Sequence, residues 1–393
     1  MAQIIEYNDW QLRQFSENGE PVYAQMAGAS TASGELQFGA SAWTHARSHP
    51  QQFNARFLTS LSAEPVQADM GVAKNLADLV YHQLKLLDTH KSNTIIAVPG
   101  YLTDEQLGLL LGICQQADIQ VAGFVDLGLA YALTESRAHP AAVLDVELHR
   151  LVLTELTLQN DKMAVRACRN LDGAGLMNVL DGWMNLVADN FVHQTRFDPL
   201  HTGDTEQQLL NQLTRWFEQG QITSRIAIGH NDVLREVDLQ PHVVQDKLTQ
   251  RIEPVLNTIS GAGTPLLVTP RAQAIPGLVD VLRAHGIQCL LTSADWPSPG
   301  LRQLSALLAD DEVIRLSEAP LLYPDTAIEP DAATGAPAFN SSPSPNRTAT
   351  HLLHDHVAYS VEDARFASLD TQQLQPGQVV TILEQAYTAI EVI

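Results

Sequence analysis

The 393-residue chain contains little cysteine, few aromatic side chains and few basic side chains. Its three cysteines, Cys114, Cys168 and Cys289, lie far apart, so neither a CxxC redox motif nor a zinc-ligand spacing is present. Scattered thiols of this kind fit a reduced, cytoplasmic setting best. Aromatic residues make up 6% of the chain and hydrophobic residues 45%, which is an ordinary balance for a globular protein.

Basic residues are outnumbered, because 23 Lys and Arg stand against 45 Asp and Glu and the formal net charge is −22. Nonspecific binding to nucleic acid or to an anionic membrane surface needs a basic face, so we expect neither partner. The sequence also lacks an apolar run of 18 residues and a basic, then apolar, N-terminal region. We therefore expect neither membrane insertion nor a signal peptide.

Two common kinds of catalytic or metal site are also missing from the sequence. No G-x-S-x-G motif follows a predicted strand, which argues against a serine hydrolase of the nucleophile-elbow type. The stretch THLLHDHVAY contains His351, His354 and His356. On a strand, His354 and His356 share one face while His351 lies on the other, so a solvated edge strand is favoured over zinc. We predict no metal site.

The two halves of the chain repeat one order of predicted elements. Three short strands open the first half over residues 3–27, and three more open the second half over residues 141–171, with a turn at residues 159–161. Strands and helices then alternate in each half, including a helix predicted over residues 69–87 and another that begins after Thr103. This order predicts an α/β fold with parallel crossovers, and its recurrence indicates an internal duplication.

Composition changes after the second half. Residues 317–350 are rich in Pro, Ala, Ser, Asn and Asp, which is typical of a flexible linker. Residues 351–393 return to alternating apolar and polar side chains, with a turn at Pro376-Gly377. We therefore predict a linker over 317–350 and a small β-rich tail over 351–393, which is too short to be a large independent domain.

One long segment resembles a known family. Residues 93–133, NTIIAVPGYLTDEQLGLLLGICQQADIQVAGFVDLGLAYAL, are similar to a segment of the nucleotide-binding domain of actin and DnaK-type chaperone ATPases. Residues 35–53 and 242–259 resemble two further segments, and the likeness runs in order from about Ile4 to Leu316. The resemblance implies a two-lobed actin-like ATPase fold with duplicated ribonuclease H-like lobes. Lobe I would span residues 1–140 and lobe II residues 141–316, with ATP and Mg²⁺ between them.

The resemblance also implies where nucleotide would bind. The family's first phosphate hairpin, DLGTT, corresponds to the positions from Glu6 through Asn8 to Trp10, and its second, DLGGGTFD, begins at Asp145. A third carboxylate corresponds to Asp126. Asp126 and Asp145 are thus the vestigial catalytic candidates, although both could simply cap strand ends. The candidate nucleotide-binding residues are Glu6, Asn8, Asp145, Gly173 and Gly175 of a retained hinge, and Thr269 in place of an adenosine-binding glycine.

The glycines of the second hairpin are absent from VLDVELHRLVLTEL, residues 143–156. A Cβ at each former glycine prevents the close approach that lets backbone N–H groups hold phosphate. Glu147 would add a negative charge beside the phosphates, which is unfavourable. We therefore expect residues 147–150 to form an ordinary connection between two strands.

These departures lead to one functional prediction and one alternative. We expect a pseudo-ATPase: a DnaK/actin-like protein without ATP turnover, or with very weak turnover, that acts as a scaffold or regulator through protein partners. The alternative is a divergent chaperone-like ATPase that binds ATP and Mg²⁺ through Glu6, Asp126 and Asp145 and hydrolyses ATP in the cleft between the lobes. The sequence leaves the partner and the pathway open.

Overall fold

The computed structural model describes most of the chain, and the chain divides into two compact units, Met1–Ala327 and Ile328–Ile393. Residues 322–350 of the predicted linker lie outside the described residues. The described residues are 2–66, 69–87, 93–134, 139–263, 265–292, 304, 307–308 and 313–321, with the backbone of 351–354, 357–360, 379–382 and 385–390.

The first unit combines strands and helices, which confirms the α/β class. Its described strands are β1 (Gln3–Glu6), β2 (Leu12–Phe15), β3 (Pro21–Gln25), β4 (Ala29–Ser30), β5 (Gln37–Phe38), β6 (Phe53–Asn54), β7 (Asn93–Val98), β8 (Gln120–Asp126), β9 (Ala142–Val146), β10 (Arg150–Gln159), β11 (Lys162–Asp172), β12 (Arg225–His230), β13 (Val233–Asp238), β14 (Leu266–Val268), β15 (Cys289–Leu291), β16 (Arg315–Leu316) and β17 (Glu318–Pro320). Its described α-helices are α1 (Ala40–Trp43), α2 (Leu76–Leu84), α3 (Asp104–Gln116), α4 (Leu127–Thr134), α5 (Leu176–Thr195), α6 (Gly203–Gln219), α7 (Pro241–Gly261), α8 (Pro270–Gln273) and α9 (Leu278–Ala284).

Two six-stranded sheets share the order of five strands, and the sixth strand lies at opposite edges, β16 beside β8 and β17 beside β11. In the first sheet, β1, β2 and β3 form an antiparallel meander, and β1 also pairs in parallel with β7, which is followed by β8 and β16. In the second sheet, β9, β10 and β11 form the meander, β9 pairs in parallel with β14, and β14 pairs with β15. This recurrence agrees with the repeated order of elements predicted from the sequence. Strand β17 adds an antiparallel edge beside β11.

Local sequence explains most of these elements. Strand β7 is buried beyond its first residue, which is why its sequence is a continuous apolar run. Helix α3 begins where predicted, because Thr103 and Gln106 form a capping box. The helix predicted over 69–87 is wrong at both ends, because α2 spans only Leu76–Leu84. Helix α2 begins only at Leu76, because the Asn75 side chain accepts a hydrogen bond from the Asp78 N–H and acts as its N-cap.

Two boundaries differ from those predicted. Strand β16, at the end of predicted lobe II, pairs with β8 of the first sheet, so the first sheet is not confined to residues 1–140. Strand β17 lies within the predicted linker, whose first residues therefore form a strand and not a flexible connection. The reason is tertiary: β11 offers an open edge, and β17 covers it while burying Ala319.

Helix α4 links the two sheets. All but its last residue are buried, and the helix packs against β7 and β8 of the first sheet and β9, β10 and β11 of the second. Apolar side chains from both sheets, including Ile4, Val143 and Leu267, meet around it in one core cluster. Further core clusters lie between each sheet and its own helices. The ends of β1 and β9 are thereby brought close together.

In the second unit, the described backbone forms one antiparallel sheet with the order β19-β18-β21-β20. These strands lie within the predicted β-rich tail, and His351 and His354 both belong to β18, whereas His356 lies outside the described residues. The strands are β18 (His351–His354), β19 (Val357–Ser360), β20 (Val379–Ile382) and β21 (Gln385–Ile390).

Candidate functional site

A buried arginine bridges the first strands of the two meanders. Glu6 ends β1 and Asp145 lies near the end of β9, and the guanidinium of Arg271 sits between their carboxylates. Arg271 Nη1 is 2.5 Å from Glu6 Oε1, and its Nη2 is 2.6 Å from Asp145 Oδ2. Its Nε also donates to Asp145 Oδ1 at 3.1 Å. All three side chains are buried, so each charge depends on the others for compensation.

The local sequence after β14 places Arg271 there. Strand β14 is parallel to β9, with Val268 opposite Leu144, so the residues that follow β14 lie beside Asp145. Thr269 is the N-cap of α8, and Pro270 takes the first helical position, where proline is favoured. The Thr269 hydroxyl donates to Asp145 Oδ1 at 2.6 Å and accepts from the Ala272 N–H. The tight start of α8 thus aims both Thr269 and Arg271 at one carboxylate.

Further buried groups complete what we call the Arg271 network. Arg13 forms an ion pair with Glu6, and the Tyr131 hydroxyl donates to Glu6 Oε1 at 3.0 Å. The Asn8 amide donates to Asp145 Oδ2 at 3.2 Å and to the Val146 carbonyl at 3.1 Å. The network, whose charged members are Glu6, Asp145, Arg13 and Arg271, contains two carboxylates and two guanidiniums.

The neighbouring carboxylates stabilise the positive charge of Arg271. Burial by itself favours the neutral form, but the carboxylates of Asp145 and Glu6 outweigh it and raise the pKa of Arg271 well above its usual value. Arg271 is therefore a permanent cation between the two sheets. It occupies the place between Glu6 and Asp145 where the family resemblance would put a metal–nucleotide complex.

A second buried cluster lies at the connection between β9 and β10. The Leu148 N–H donates to Asp9 Oδ1 at 2.7 Å, whereas Asp9 Oδ2 is buried and has no hydrogen-bond donor among the described residues. The Tyr101 hydroxyl lies 2.8 and 2.9 Å from the two oxygens of Glu147. Arg150 is the nearby cation, with its Nε 3.6 Å from Glu147 Oε2 and its guanidinium over the Tyr101 ring.

Burial disfavours the ionised form of both acids of this cluster, Asp9 and Glu147. It raises the pKa of Asp9 to about 7, although the Leu148 N–H and the charge of Arg150 oppose the increase. Burial and then the negative charge of Asp9 raise the pKa of Glu147 well above its usual value. Burial also lowers the pKa of the neighbouring His149 to about 4, so this imidazole is neutral at physiological pH. The cluster retains protons near neutrality.

The backbone of the β9–β10 connection accepts hydrogen bonds from the first N–H groups of α5. The N–H groups of Leu176 and Met177 donate to the carbonyls of Glu147 and Leu148, at 3.0 and 2.8 Å. These are the unpaired donors that make a helix N-terminus an anion site, and here the chain satisfies them itself. A Cβ built at Gly175 would collide with the backbone of His149 and Arg150. Gly175 therefore allows the close packing of residues 147–150 against the start of α5.

Residues 147–149 connect β9 to β10 without any positive φ angle, and the Glu147 N–H donates to the Arg150 carbonyl at 2.9 Å. The prediction of an ordinary strand connection is thus confirmed. Gly173, the other glycine of the predicted hinge, has a φ of 78°. That left-handed conformation favours glycine whatever the surroundings.

Asp126 has partners of its own. It ends β8, and its Oδ1 accepts hydrogen bonds from the Gly128 and Leu129 N–H groups at the start of α4. Its Oδ2 lies 3.4 Å from Arg315 Nη2. Burial raises the pKa of Asp126, while the charge of Arg315 and these N–H donors oppose the increase. The arrangement agrees with Asp126 as a strand-end cap for α4.

The structure therefore brings four of the predicted nucleotide-binding residues into the Arg271 network, namely Glu6, Asn8, Asp145 and Thr269. Gly175 packs against the β9–β10 connection instead, and Gly173 lies exposed in the turn between β11 and α5. Sequence reasoning missed Arg271, Arg13, Tyr131, Asp9 and Tyr101. One signal could have revealed Arg271: it is a single charge in the otherwise uncharged segment LLVTPRAQAIPGLV, directly after a buried strand.

This donor set does not fit a nucleotide with hydrated Mg²⁺. Mg²⁺ needs oxygen ligands with free lone pairs, but the carboxylates of Glu6 and Asp145 are both engaged in ion pairs with Arg271. The helix N-terminus suited to a phosphate is filled by the Glu147 and Leu148 carbonyls. Within the described residues, no group of three His, Cys, Asp or Glu side chains is placed to hold a metal ion.

Fold and site together define an α/β protein with a buried, charge-balanced network between two sheets of like topology. No protein-family model matches the chain, and no curated protein matches it either. None of the helices in the described part of the chain is long and apolar enough to cross a membrane.

Replacing Thr269 with valine tests the hydrogen bond from the Thr269 hydroxyl to Asp145. The isosteric change removes the hydroxyl that donates to Asp145 and caps α8, and we expect it to lower the free energy of unfolding by about 1–2 kcal/mol. Urea denaturation of the full chain measures this. The matched control is Thr214→Val, because the Thr214 hydroxyl only donates to the Leu210 carbonyl of its own helix. An equal loss in both variants would contradict a specific role of Thr269.

Proposed function

We propose that this chain is an actin/DnaK-like protein of two lobes that does not turn over ATP and acts as a protein-interaction scaffold or regulator. One observation carries the proposal: the guanidinium of Arg271 bridges Glu6 and Asp145, the carboxylates that the family resemblance assigns to the metal–nucleotide complex. The matching order of five strands in each of the two sheets supports the two-lobed fold.

The bridge has a consequence for how the protein works. In a nucleotide-dependent protein, ligand binding changes the balance between conformations only through differential affinity for them. Here the cation that joins the two sheets is a side chain of the protein itself, so the bridge does not depend on a dissociable ligand. We infer that the two sheets are held in one arrangement and present a constant surface to a partner.

A thermal-shift titration with Mg-ATP and Mg-ADP tests the proposal. A ligand present at 100 times its Kd would stabilise the native state by about 2.7 kcal/mol. We expect no saturable increase of Tm up to about 5 mM nucleotide, a concentration that corresponds to 100 times a Kd of about 50 μM. Mg²⁺ alone and nucleotide with EDTA are the controls. A saturable increase that Asp145→Asn abolishes would overturn the proposal in favour of the divergent ATPase.

A second experiment tests for protein partners and uses the tagged full chain to capture proteins from its source cells. Capture is carried out in parallel with Mg-ATP and with EDTA. A scaffold with a permanent internal bridge should retain the same partners in both conditions. Release of the partners by Mg-ATP alone would contradict nucleotide-independent action.

A further inference from the structure

The first unit contains a cavity of about 640 Å³ beside the Arg271 network. Its lining comes from distant parts of the chain, including the turn between β1 and β2, α1, α5, α6 and α8. The buried part of the lining is apolar apart from Arg271 and consists of Trp10, Leu180, Leu210 and Phe217. Cavities of roughly 300–1,000 Å³ with such linings are typical of small-molecule sites.

Aromatic contacts hold this apolar lining in place. The rings of Trp10 and Phe217 meet edge to face, with centroids 5.9 Å apart. Phe217 in turn stacks on the buried Trp183 at 5.4 Å. The ring of another lining residue, Trp43, packs edge to face against Phe53, with centroids 4.9 Å apart. The aromatic walls are therefore preformed, and little side-chain entropy would be lost when a ligand binds.

The charges around the cavity do not suit an anionic ligand. Arg271 contributes to the lining, but Glu6 and Asp145 already neutralise it. The other charged lining residues, Arg215 and Glu218, are exposed and opposite in sign. The one buried cation of the described lining, Arg271, is therefore already paired with carboxylates and is not free for a polyphosphate, whereas the face of an uncharged ring can pack against Trp10, Trp43 and Phe217.

We infer that this cavity binds an uncharged, planar aromatic small molecule of two or three fused rings. The inference rests on the cavity and not on the proposed scaffold function, because it holds whether or not nucleotide binds elsewhere. Its ligand class is set by three features: the volume, the aromatic lining, and the pairing of Arg271, the one buried charge of the described lining, with Glu6 and Asp145.

Saturation-transfer difference NMR and calorimetry with indole as the probe test this inference on the full chain. Two variants fill the cavity from different walls: Ala274→Trp after α8 and Ala40→Trp at the start of α1. We expect saturable binding of indole to the wild type and an affinity at least tenfold lower in each filled variant. The matched control is Ala284→Trp, which adds the same side chain at an exposed helix end outside the cavity.

Each outcome decides the question. Affinity lost in both filled variants and kept in Ala284→Trp supports the site, and one filled variant suffices if the other does not fold. No saturable binding of indole, or equal affinity in the filled variants and the wild type, overturns it. Sodium triphosphate serves as the anionic probe, and binding of triphosphate that competes with indole would also overturn it. The Mg-ATP titration fails or succeeds independently of these results.

Discussion

Replacing Arg271 with methionine is expected to lower the free energy of unfolding by about 3–5 kcal/mol, the typical effect of breaking a buried ion pair. Methionine keeps an unbranched apolar stem but removes the cation, so Glu6 and Asp145 are left facing each other in the interior. Thr269, Asn8 and Tyr131 still donate hydrogen bonds to these carboxylates. Arg13 still forms an ion pair with Glu6. The remaining donors to Asp145 are neutral and cannot compensate its buried negative charge.

Urea denaturation of the full chain at pH 7 measures this effect. The matched control is Arg225→Met, because Arg225 is 66% exposed and pairs with Glu236 and Asp238 on the hairpin of β12 and β13. Exposed ion pairs contribute roughly 0–1 kcal/mol, so the control should change stability by no more than that. Similar losses at Arg271 and Arg225 would contradict a central role for the Arg271 network.

A double variant separates charge from packing. Adding Asp145→Asn to Arg271→Met removes the uncompensated charge, keeps the Glu6–Arg13 pair and nearly keeps the shape of the Asp145 side chain. Replacing both partners of a buried ion pair is often tolerated, so the double variant should regain a large part of the lost stability. If the double variant is no more stable than Arg271→Met, the loss comes from packing and the electrostatic explanation is wrong.

The sequence contains enough local information to predict much of the fold. Period-two alternation and apolar runs predict the strands, and Thr103 with Gln106 predicts the start of α3. The turn at residues 159–161 is also predicted, and Asn160 and Asp161 indeed have positive φ angles between β10 and β11. These features depend on neighbours in the sequence, so short-range rules are sufficient for them.

The candidate site depends on contacts between distant segments, which short-range sequence rules do not predict. The absence of glycine directly after Asp145 is visible in the sequence and argues against phosphate binding there. The partner of Asp145 is not visible, because Arg271 and Asp145 are 126 residues apart and meet only through the pairing of β14 with β9. The same holds for β17, whose role depends on the open edge of β11. Contacts between distant segments are set by the packing of whole elements.

A second large effect is expected from Asp9→Asn, and it should depend on pH. Burial raises the pKa of Asp9 from an ordinary value of 3.8 to about 7. Between these values the native state holds a proton that the unfolded chain has released, so this group makes stability fall as pH rises from about 4 to about 7. Asparagine keeps the acceptor for the Leu148 N–H and carries no charge, so its variant lacks this decline.

The quantity to measure is the difference in unfolding free energy between Asp9→Asn and the wild type, by urea denaturation at several pH values. A pKa difference of one unit corresponds to about 1.4 kcal/mol, so we expect the difference to rise on the order of 3 kcal/mol in favour of the variant from pH 4 to pH 8. The matched control is Asp189→Asn on the exposed face of α5, which should stay within about 0.5 kcal/mol throughout.

The direction of the change distinguishes burial from ion pairing at Asp9. If Arg150 governed the carboxylate, the pKa of Asp9 would be low, and the wild type would gain on the variant as pH rises. Glu147 reinforces the expected direction, because removing the charge of Asp9 also removes one reason for its own raised pKa. A difference that stays flat, or that moves in favour of the wild type above pH 7, would show that the cluster beside the β9–β10 connection is not protonated near neutrality.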